Sequence, residues 1–183
     1  MKNLMLLFSV VYFSVFTGCE SRQDVKKISA LDDIRNYFDS EIKLLEDSKS
    51  TLTKNLDHKG KAEELFIEKP DWENELVPFT ETISNQPSMN QAFKKDSVVN
   101  GNSRIFHYTA NDSSATIKFV YAAFTGEKTD SIVIIKRVSN AYYASTDTLT
   151  YYGAGNYLIK AENLPGFGKK IGFVMSGRSN IRN

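Results

Sequence analysis

The chain has 183 residues, of which 41% are hydrophobic and 25% are charged, a composition that predicts one packed globular domain. Lys2 is the only charged residue before Cys19, so the 23 Lys and Arg of the whole chain become 22 from Cys19 onward, against 22 Asp and Glu. This balance gives no basic face for binding nucleic acid, and a single cysteine excludes an internal disulfide framework.

The N-terminus has the pattern of an export signal. Lys2 precedes an apolar run over residues 4–16, which is shorter than the ~20 residues that a membrane-spanning helix needs but suits the core of a signal peptide. The run ends in an apolar residue, two small residues and the only cysteine. These residues, Phe16, Thr17, Gly18 and Cys19, resemble the lipobox of bacterial lipoproteins, although Phe16 stands where Leu is usual.

The lipobox resemblance implies that residues 1–18 are a cleaved lipoprotein signal peptide and that Cys19 carries acyl chains such as palmitate. Residues 19–27 are polar and predict a tether, followed by a single domain over residues 28–183. Few acids follow Cys19, which favours a lipid-anchored position in the cell envelope, at the outer membrane and facing the periplasm. An ordinary signal with an accidental cysteine, or an uncleaved anchor helix, is the alternative.

A helical repeat begins after Ser29, a residue suited to the N-cap position. Asp32 and Asp33 follow in the first turn, where the helix dipole favours acids, and Asp47-Ser48 is a plausible end. Apolar residues recur at steps of three and four, which predicts an amphipathic helix packed on the core; a helix that docks on a partner would show the same pattern. The stripe consists of Ile28, Leu31, Ile34, Phe38, Ile42 and Leu45.

Residues 50–68 predict a β-hairpin. Thr51 and Thr53 favour extended structure, and Asp57-His58-Lys59-Gly60 is a turn signal before a returning strand at Leu65-Phe66-Ile67. The acidic residues before Leu65 would equally suit a helix.

A short second helix is predicted from Pro70-Asp71-Trp72, with Asp71 as its N-cap. Trp72, Leu76 and Phe79 would face inward, and Pro78 is expected to bend or end the helix. Residues 84–92 predict a loop or a single helical turn.

The C-terminal half predicts an antiparallel meander of about six strands, because short turn signals separate runs rich in Ile, Val, Tyr, Phe and Thr. Residues 132–135 are apolar on both faces and predict a central strand. The expected fold is therefore α+β, with the N-terminal helix covering one face of the meander and a short second helix. The predicted strands are Ser103–Ala110, Thr116–Ala123, Ser131–Val138, Tyr142–Tyr152, Tyr157–Glu162 and Lys170–Ser176.

Several segments together resemble a group of uncharacterised single-domain lipoproteins of Bacteroidota-type bacteria. They are the lipobox, the helix that begins Leu-Asp-Asp-Ile-Arg-Asn-Tyr-Phe, the hairpin, Asp71-Trp72-Glu73-Asn74-Glu75-Leu76, Val138-Ser139-Asn140 and Leu149-Thr150-Tyr151-Tyr152. The resemblance implies the compartment and the architecture, and it implies no activity.

No catalytic or metal-binding constellation stands out. His58 and His107 are the only histidines, and neither has a second ligand at a metal-binding spacing. There is no nucleophile elbow, and Cys19 is taken by the lipid. The glycine-rich segments 153–155 and 166–168 predict turns rather than phosphate loops, because no helix follows them. We therefore expect no enzyme activity, no cofactor and no metal.

A cluster of tyrosines is the best candidate for a binding surface, since an exposed tyrosine offers an apolar ring together with a hydroxyl that stays solvated. Ordinary cross-strand packing is the simpler interpretation. The candidates are Tyr142, Tyr143, Tyr151, Tyr152 and Tyr157.

Two functions are compatible with these patterns. The first is a non-enzymatic binding or structural module, anchored to the membrane through Cys19 and interacting with an envelope protein. The second is a periplasmic carrier that holds a lipid or another hydrophobic ligand in the cavity of a curved sheet. Few predicted strands are apolar on both faces, which favours the first.

Overall fold

A computed structural model describes residues 30–84 and 92–181 of the chain. The predicted signal peptide, the lipobox, the tether, Ser29, Ile28 and nearly all of segment 84–92 lie outside these residues. The described part is α+β, with two helices and a nine-stranded antiparallel sheet. Within residues 30–84 and 92–181, neither helix is long and apolar enough to span a membrane.

The helices are α1 (Ala30–Asp47) and α2 (Trp72–Ser84). The strands are β1 (Thr51–His58), β2 (Lys61–Ile67), β3 (Phe93–Asn100), β4 (Ser103–Ala110), β5 (Ile117–Thr125), β6 (Lys128–Ser139), β7 (Tyr143–Gly153), β8 (Asn156–Pro165) and β9 (Ile171–Asn180). They lie side by side in the order β2-β1-β9-β8-β7-β6-β5-β4-β3.

The amphipathic stripe of α1 is confirmed for the residues whose side chains are described. Ile34, Phe38 and Leu45 are buried, and Ile42 packs half-buried against the same core. The helix ends where predicted, because Lys49 adopts a left-handed conformation with φ of 49°, which stops the helical path.

The predicted hairpin is confirmed as β1 and β2. Lys59 and Gly60 form its two-residue turn with φ of 55° and 76°, the left-handed pair that matches the twist of antiparallel strands. The Gly60 N–H donates to Asp57 Oδ1 at 3.0 Å. The hairpin belongs to the main sheet, since β1 pairs with the last strand through Leu52 opposite Ser179.

The second helix begins as predicted, and it continues past its proline. Asp71 is the N-cap, because its Oδ1 accepts the backbone N–H of Asn74 at 3.0 Å. Of the two effects expected of Pro78, a bend or an end, the second is wrong, because α2 runs to Ser84. Phe79 and Ile83 are buried after the proline and hold the last turns on the core. Because proline has no N–H, Pro78 cannot donate the helical hydrogen bond to the carbonyl of Asn74. Asn74 is an exposed residue.

The antiparallel meander is confirmed, and the count of about six strands is only roughly consistent with the whole sheet. All six predicted strands are present as β4–β9, with bounds shifted by a few residues, and Tyr142 lies just before its strand instead of inside it. The hairpin and β3 raise the number to nine. The apolar run in β6 is central, as predicted, with Ile132 and Ile134 fully buried.

One face of the sheet carries both helices. The Phe38 ring of α1 meets the Tyr151 ring of β7 with centroids 5.1 Å apart, and Phe79 of α2 stacks on Phe38 at 5.6 Å. Trp72, Tyr151 and Tyr157 are among the largest fully buried side chains. These rings fill the space between the helices and the sheet.

Candidate functional site

The five tyrosines predicted to form a binding surface divide into two groups. Tyr151 and Tyr157 lie in the core at 0% and 2% exposure, so for them ordinary packing is the correct interpretation. Tyr142, Tyr143 and Tyr152 are exposed at 81%, 45% and 50%.

The three exposed tyrosines do not share one surface. Tyr143 is the first residue of β7, and Tyr152 is the last but one. Their nine-residue separation corresponds to about 30 Å along a strand. Tyr142 and Tyr143 therefore lie at one end of the sheet and Tyr152 lies at the other.

A cavity of about 540 Å³ opens beside Tyr152. We call it the end cavity. It lies between α1 from Tyr37 onward, the β5–β6 turn, the β7–β8 turn and the residue that follows β9. Its lining consists of Tyr37, Glu41, Leu44, Leu45, Ser48, Glu127, Lys128, Thr129, Tyr152, Gly153, Ala154 and Ile181.

The wall of the end cavity contains a buried carboxylate. Glu41 of α1 is only 9% exposed. Its Oε1 accepts the Tyr151 hydroxyl at 2.8 Å and the Ala154 backbone N–H at 2.6 Å. Hydrogen bonds of this kind offset the desolvation cost of burying a carboxylate. Glu41 therefore ties α1 to the turn between β7 and β8.

The β7–β8 turn has an unusual backbone. Gly153, Ala154 and Gly155 are all left-handed, with φ of 84°, 50° and 73°. Glycine adopts this conformation freely, whereas Ala154 does so at a cost. The hydrogen bond from Ala154 to Glu41 supports it, and the Gly155 N–H donates to the Tyr151 hydroxyl oxygen at 2.8 Å.

The tyrosines around Glu41 remain protonated donors at neutral pH. Burial, followed by the negative charge of Glu41, raises the pKa of Tyr151 well above its ordinary value. Burial is also the largest cause of the raised pKa of Tyr37, which interacts with Glu41 from the preceding turn of α1. Each hydroxyl can therefore supply a hydrogen to the carboxylate.

The mouth of the end cavity is largely apolar, although Glu127 and Lys128 are also exposed in its lining. Leu44 is 64% exposed and Ile181 is 43% exposed, and both lie with Tyr152 in the cavity lining. A concave site with apolar walls and a few fixed polar groups is the usual architecture of a binding pocket. The arrangement is suited to holding a ligand or a side chain of a partner.

Sequence reasoning missed most of the residues that line the end cavity. Glu41 carried a usable signal, because it lies seven residues after Ile34 and four before Leu45, within the apolar stripe of α1. A charged residue on a buried helical face demands a partner. Leu44 and Ile181 carried no comparable signal.

The two histidines lie apart from this site. His58 ends β1 at the hairpin turn. His107 of β4 lies against the rings of Tyr121 and Phe119, with centroids 5.1 and 6.0 Å away. In the described ranges, no three His, Cys, Asp or Glu side chains are grouped so that they could hold a metal ion.

Comparisons with protein-family models, with curated proteins and with solved structures found no match for this chain.

Proposed function

We propose that this chain is a membrane-anchored envelope lipoprotein whose folded domain is a non-enzymatic binding module, with the end cavity as its binding site. The observation that carries the proposal is the juxtaposition of a buried, hydrogen-bonded carboxylate with an exposed apolar mouth. The lipobox at Phe16-Thr17-Gly18-Cys19 supports the anchor, and a position at the outer membrane facing the periplasm accords with it.

The exposed mouth supports binding because large apolar side chains grouped at a concave site are typical of binding grooves. Leu44, Tyr152 and Ile181 contribute such surface from three separate parts of the chain. Glu41 contributes a fixed acceptor in the wall, which can discriminate between partners by hydrogen bonding.

The apolar mouth also favours the second candidate, a carrier of a lipid or another hydrophobic ligand. Aromatic side chains occupy the space between helices and sheet. A carried ligand would therefore occupy the end cavity, and the two candidates share one site.

In-cell photocrosslinking tests the site. A photoreactive phenylalanine analogue placed at Tyr152 is expected to give discrete adducts, identified by mass spectrometry. The same analogue at Phe66, which is 61% exposed on β2, is the matched control. Leu44→Asp should abolish the Tyr152 adducts, because it places a charge in the mouth.

The outcome separates the alternatives. A protein adduct that Leu44→Asp removes supports the binding module. Lipid that is extracted by organic solvent from the purified protein, and is lost from Leu44→Asp, supports the carrier. Identical adducts at Tyr152 and Phe66, or none at Tyr152, would contradict the assignment of the end cavity.

A further inference from the structure

The end of the sheet opposite the end cavity carries a second exposed surface. The β6–β7 and β8–β9 loops lie together there, because Tyr143 pairs with Pro165 in the register of β7 and β8. The Gly166 N–H donates to the Tyr142 carbonyl at 2.6 Å. Two neighbouring loops are thereby joined into one projecting unit.

The β6–β7 loop has a fixed conformation. Asn140 Oδ1 accepts the backbone N–H groups of Tyr142 at 2.8 Å and of Tyr143 at 3.0 Å. The Asn140 N–H in turn donates to the Tyr143 carbonyl at 2.9 Å. Both tyrosines therefore extend from an ordered turn, which lowers the conformational cost of binding.

Five large apolar side chains are exposed on this unit, which we call the aromatic tip. Phe167, at the turn between β8 and β9, is 99% exposed, and Tyr142 is 81% exposed. The others are Tyr143, Leu164 and Ile171, at 45%, 53% and 41%. Exposed apolar side chains grouped at one end of a sheet can form an interaction surface, to which both faces contribute here, since Leu164 pairs with Ala144 and so lies on the face opposite Tyr143.

Basic residues accompany the aromatic tip. Lys169 and Lys170 directly follow the Phe167 loop. Lys170 forms an ion pair with Glu162 at 2.8 Å between two largely exposed side chains. Among the described residues, Lys169 has no acidic partner. The aromatic tip thus combines exposed rings with a free positive charge.

We propose that the aromatic tip contacts the headgroup region of an anionic phospholipid bilayer. Surfaces that lie in the membrane interface typically combine exposed aromatic side chains with neighbouring lysines. The tip projects from the end of the sheet, which suits insertion between headgroups better than docking into a flat protein face. The proposal rests on the proposed function, because the lipid anchor is what places the domain beside a membrane.

The proposal also gives the domain an orientation. β7 runs from the aromatic tip at Tyr143 to the end cavity at Gly153. With the tip at the membrane, the cavity faces away from it, about 30 Å along the strand. A partner or ligand in the aqueous compartment would then have free access to Tyr152 and Leu44.

Tryptophan quenching tests this contact. The acylated protein, isolated from membranes, is reconstituted in vesicles of phosphatidylethanolamine and phosphatidylglycerol with brominated acyl chains. Phe167→Trp reports on the aromatic tip and Tyr152→Trp on the opposite end, while the buried native Trp72 supplies the same background in both. The fluorescence of the introduced tryptophan, measured above the Trp72 background, should be quenched in Phe167→Trp and should persist in Tyr152→Trp.

A charge reversal tests the electrostatic part. Lys169→Glu/Lys170→Glu should restore the Phe167→Trp emission in vesicles that contain phosphatidylglycerol, because lysines near an anionic leaflet attract it. Lys94→Glu/Lys95→Glu changes an exposed lysine pair on β3 in the same way and is the matched control. It should leave the quenching unchanged.

Flotation of the vesicles separates this proposal from the one on which it rests. A protein that does not float lacks the anchor, which contradicts the proposed function. A protein that floats without quenching of Phe167→Trp, or with equal quenching of both reporters, overturns the aromatic tip alone. Crosslinking from position 167 only to another envelope protein also overturns it.

Discussion

Removing the Glu41 carboxylate should destabilise the protein substantially. Glu41→Ala deletes the acceptor of the Tyr151 hydroxyl and of the Ala154 N–H. Hydrogen bonds to a charged group contribute about 1.5–3 kcal/mol each. Water entering the end cavity can serve the Ala154 N–H, since that residue is exposed. We therefore expect the free energy of unfolding to fall by about 3 kcal/mol, near the lower limit for two such bonds.

Urea unfolding followed by circular dichroism measures this loss. Tyr151→Phe removes one of the same bonds, so the double variant should be about 1 kcal/mol less destabilised than the sum of the single variants. Glu46→Ala changes an exposed acid on the same helix and should stay within about 0.5 kcal/mol of the parent protein. A loss below ~1 kcal/mol for Glu41→Ala would show that Glu41 does not tie α1 to the β7–β8 turn. Strict additivity with Tyr151→Phe would show that the hydrogen bond between Glu41 and Tyr151 contributes nothing to stability.

Three further changes test the fold around the site. Asp71→Ala removes the cap of α2 and should lower the free energy of unfolding by about 1 kcal/mol, measured by urea unfolding; an unchanged midpoint would contradict the capping role. Gly177→Ala would place its methyl group 2.2 Å from the Tyr157 ring and should cost about 1–3 kcal/mol by overpacking, in the same assay, whereas equal stability would contradict that close approach. The pKa values of three tyrosines are raised, first by burial; they are Tyr37, Tyr151 and Tyr157. Above pH ~10 the folded protein therefore keeps phenol protons that the unfolded chain loses. Stability should therefore be intact below that pH and fall above it, by at most about 1.4 kcal/mol per pH unit for each tyrosine. Tyr157→Phe should reduce the slope of urea midpoints between pH 9 and 11, and an unchanged slope would argue against its protonated burial.

Periodicity in the sequence predicted those elements that bury one face. The stripe through Ile34, Phe38 and Leu45 specified α1 because it recurs at helical steps. Asp71 and the Lys59-Gly60 turn carry local signals, so the start of α2 and the hairpin could be placed as well.

The third strand escaped prediction for a physical reason. β3 lies at the edge of the sheet, and every residue from Lys94 to Asn100 is exposed. An edge strand of this kind shows no alternation of apolar and polar residues, and its lysines are typical of protected edges. The pairing of β1 with β9 was equally hidden, because it joins segments more than a hundred residues apart.

The end cavity could not be predicted because it depends on tertiary contacts. Segment 153–155 was predicted as a turn, and its glycines carried that signal. The hydrogen bond from the Ala154 N–H to Glu41 depends on how α1 packs on β7, which the sequence alone does not show. The split of the tyrosines likewise depends on where the helices cover the sheet: Tyr151 lies beneath α1, whereas Tyr143, on the same face of β7, lies beyond it.

Acyl chains on Cys19 are the feature on which the proposed function depends most. Labelling cells with radioactive palmitate tests it directly. The parent protein should be labelled and recovered with the membranes, and Cys19→Ser should lose the label and leave the membrane fraction. An unlabelled parent protein, together with a Cys19→Ser variant that remains equally membrane-bound, would contradict the account.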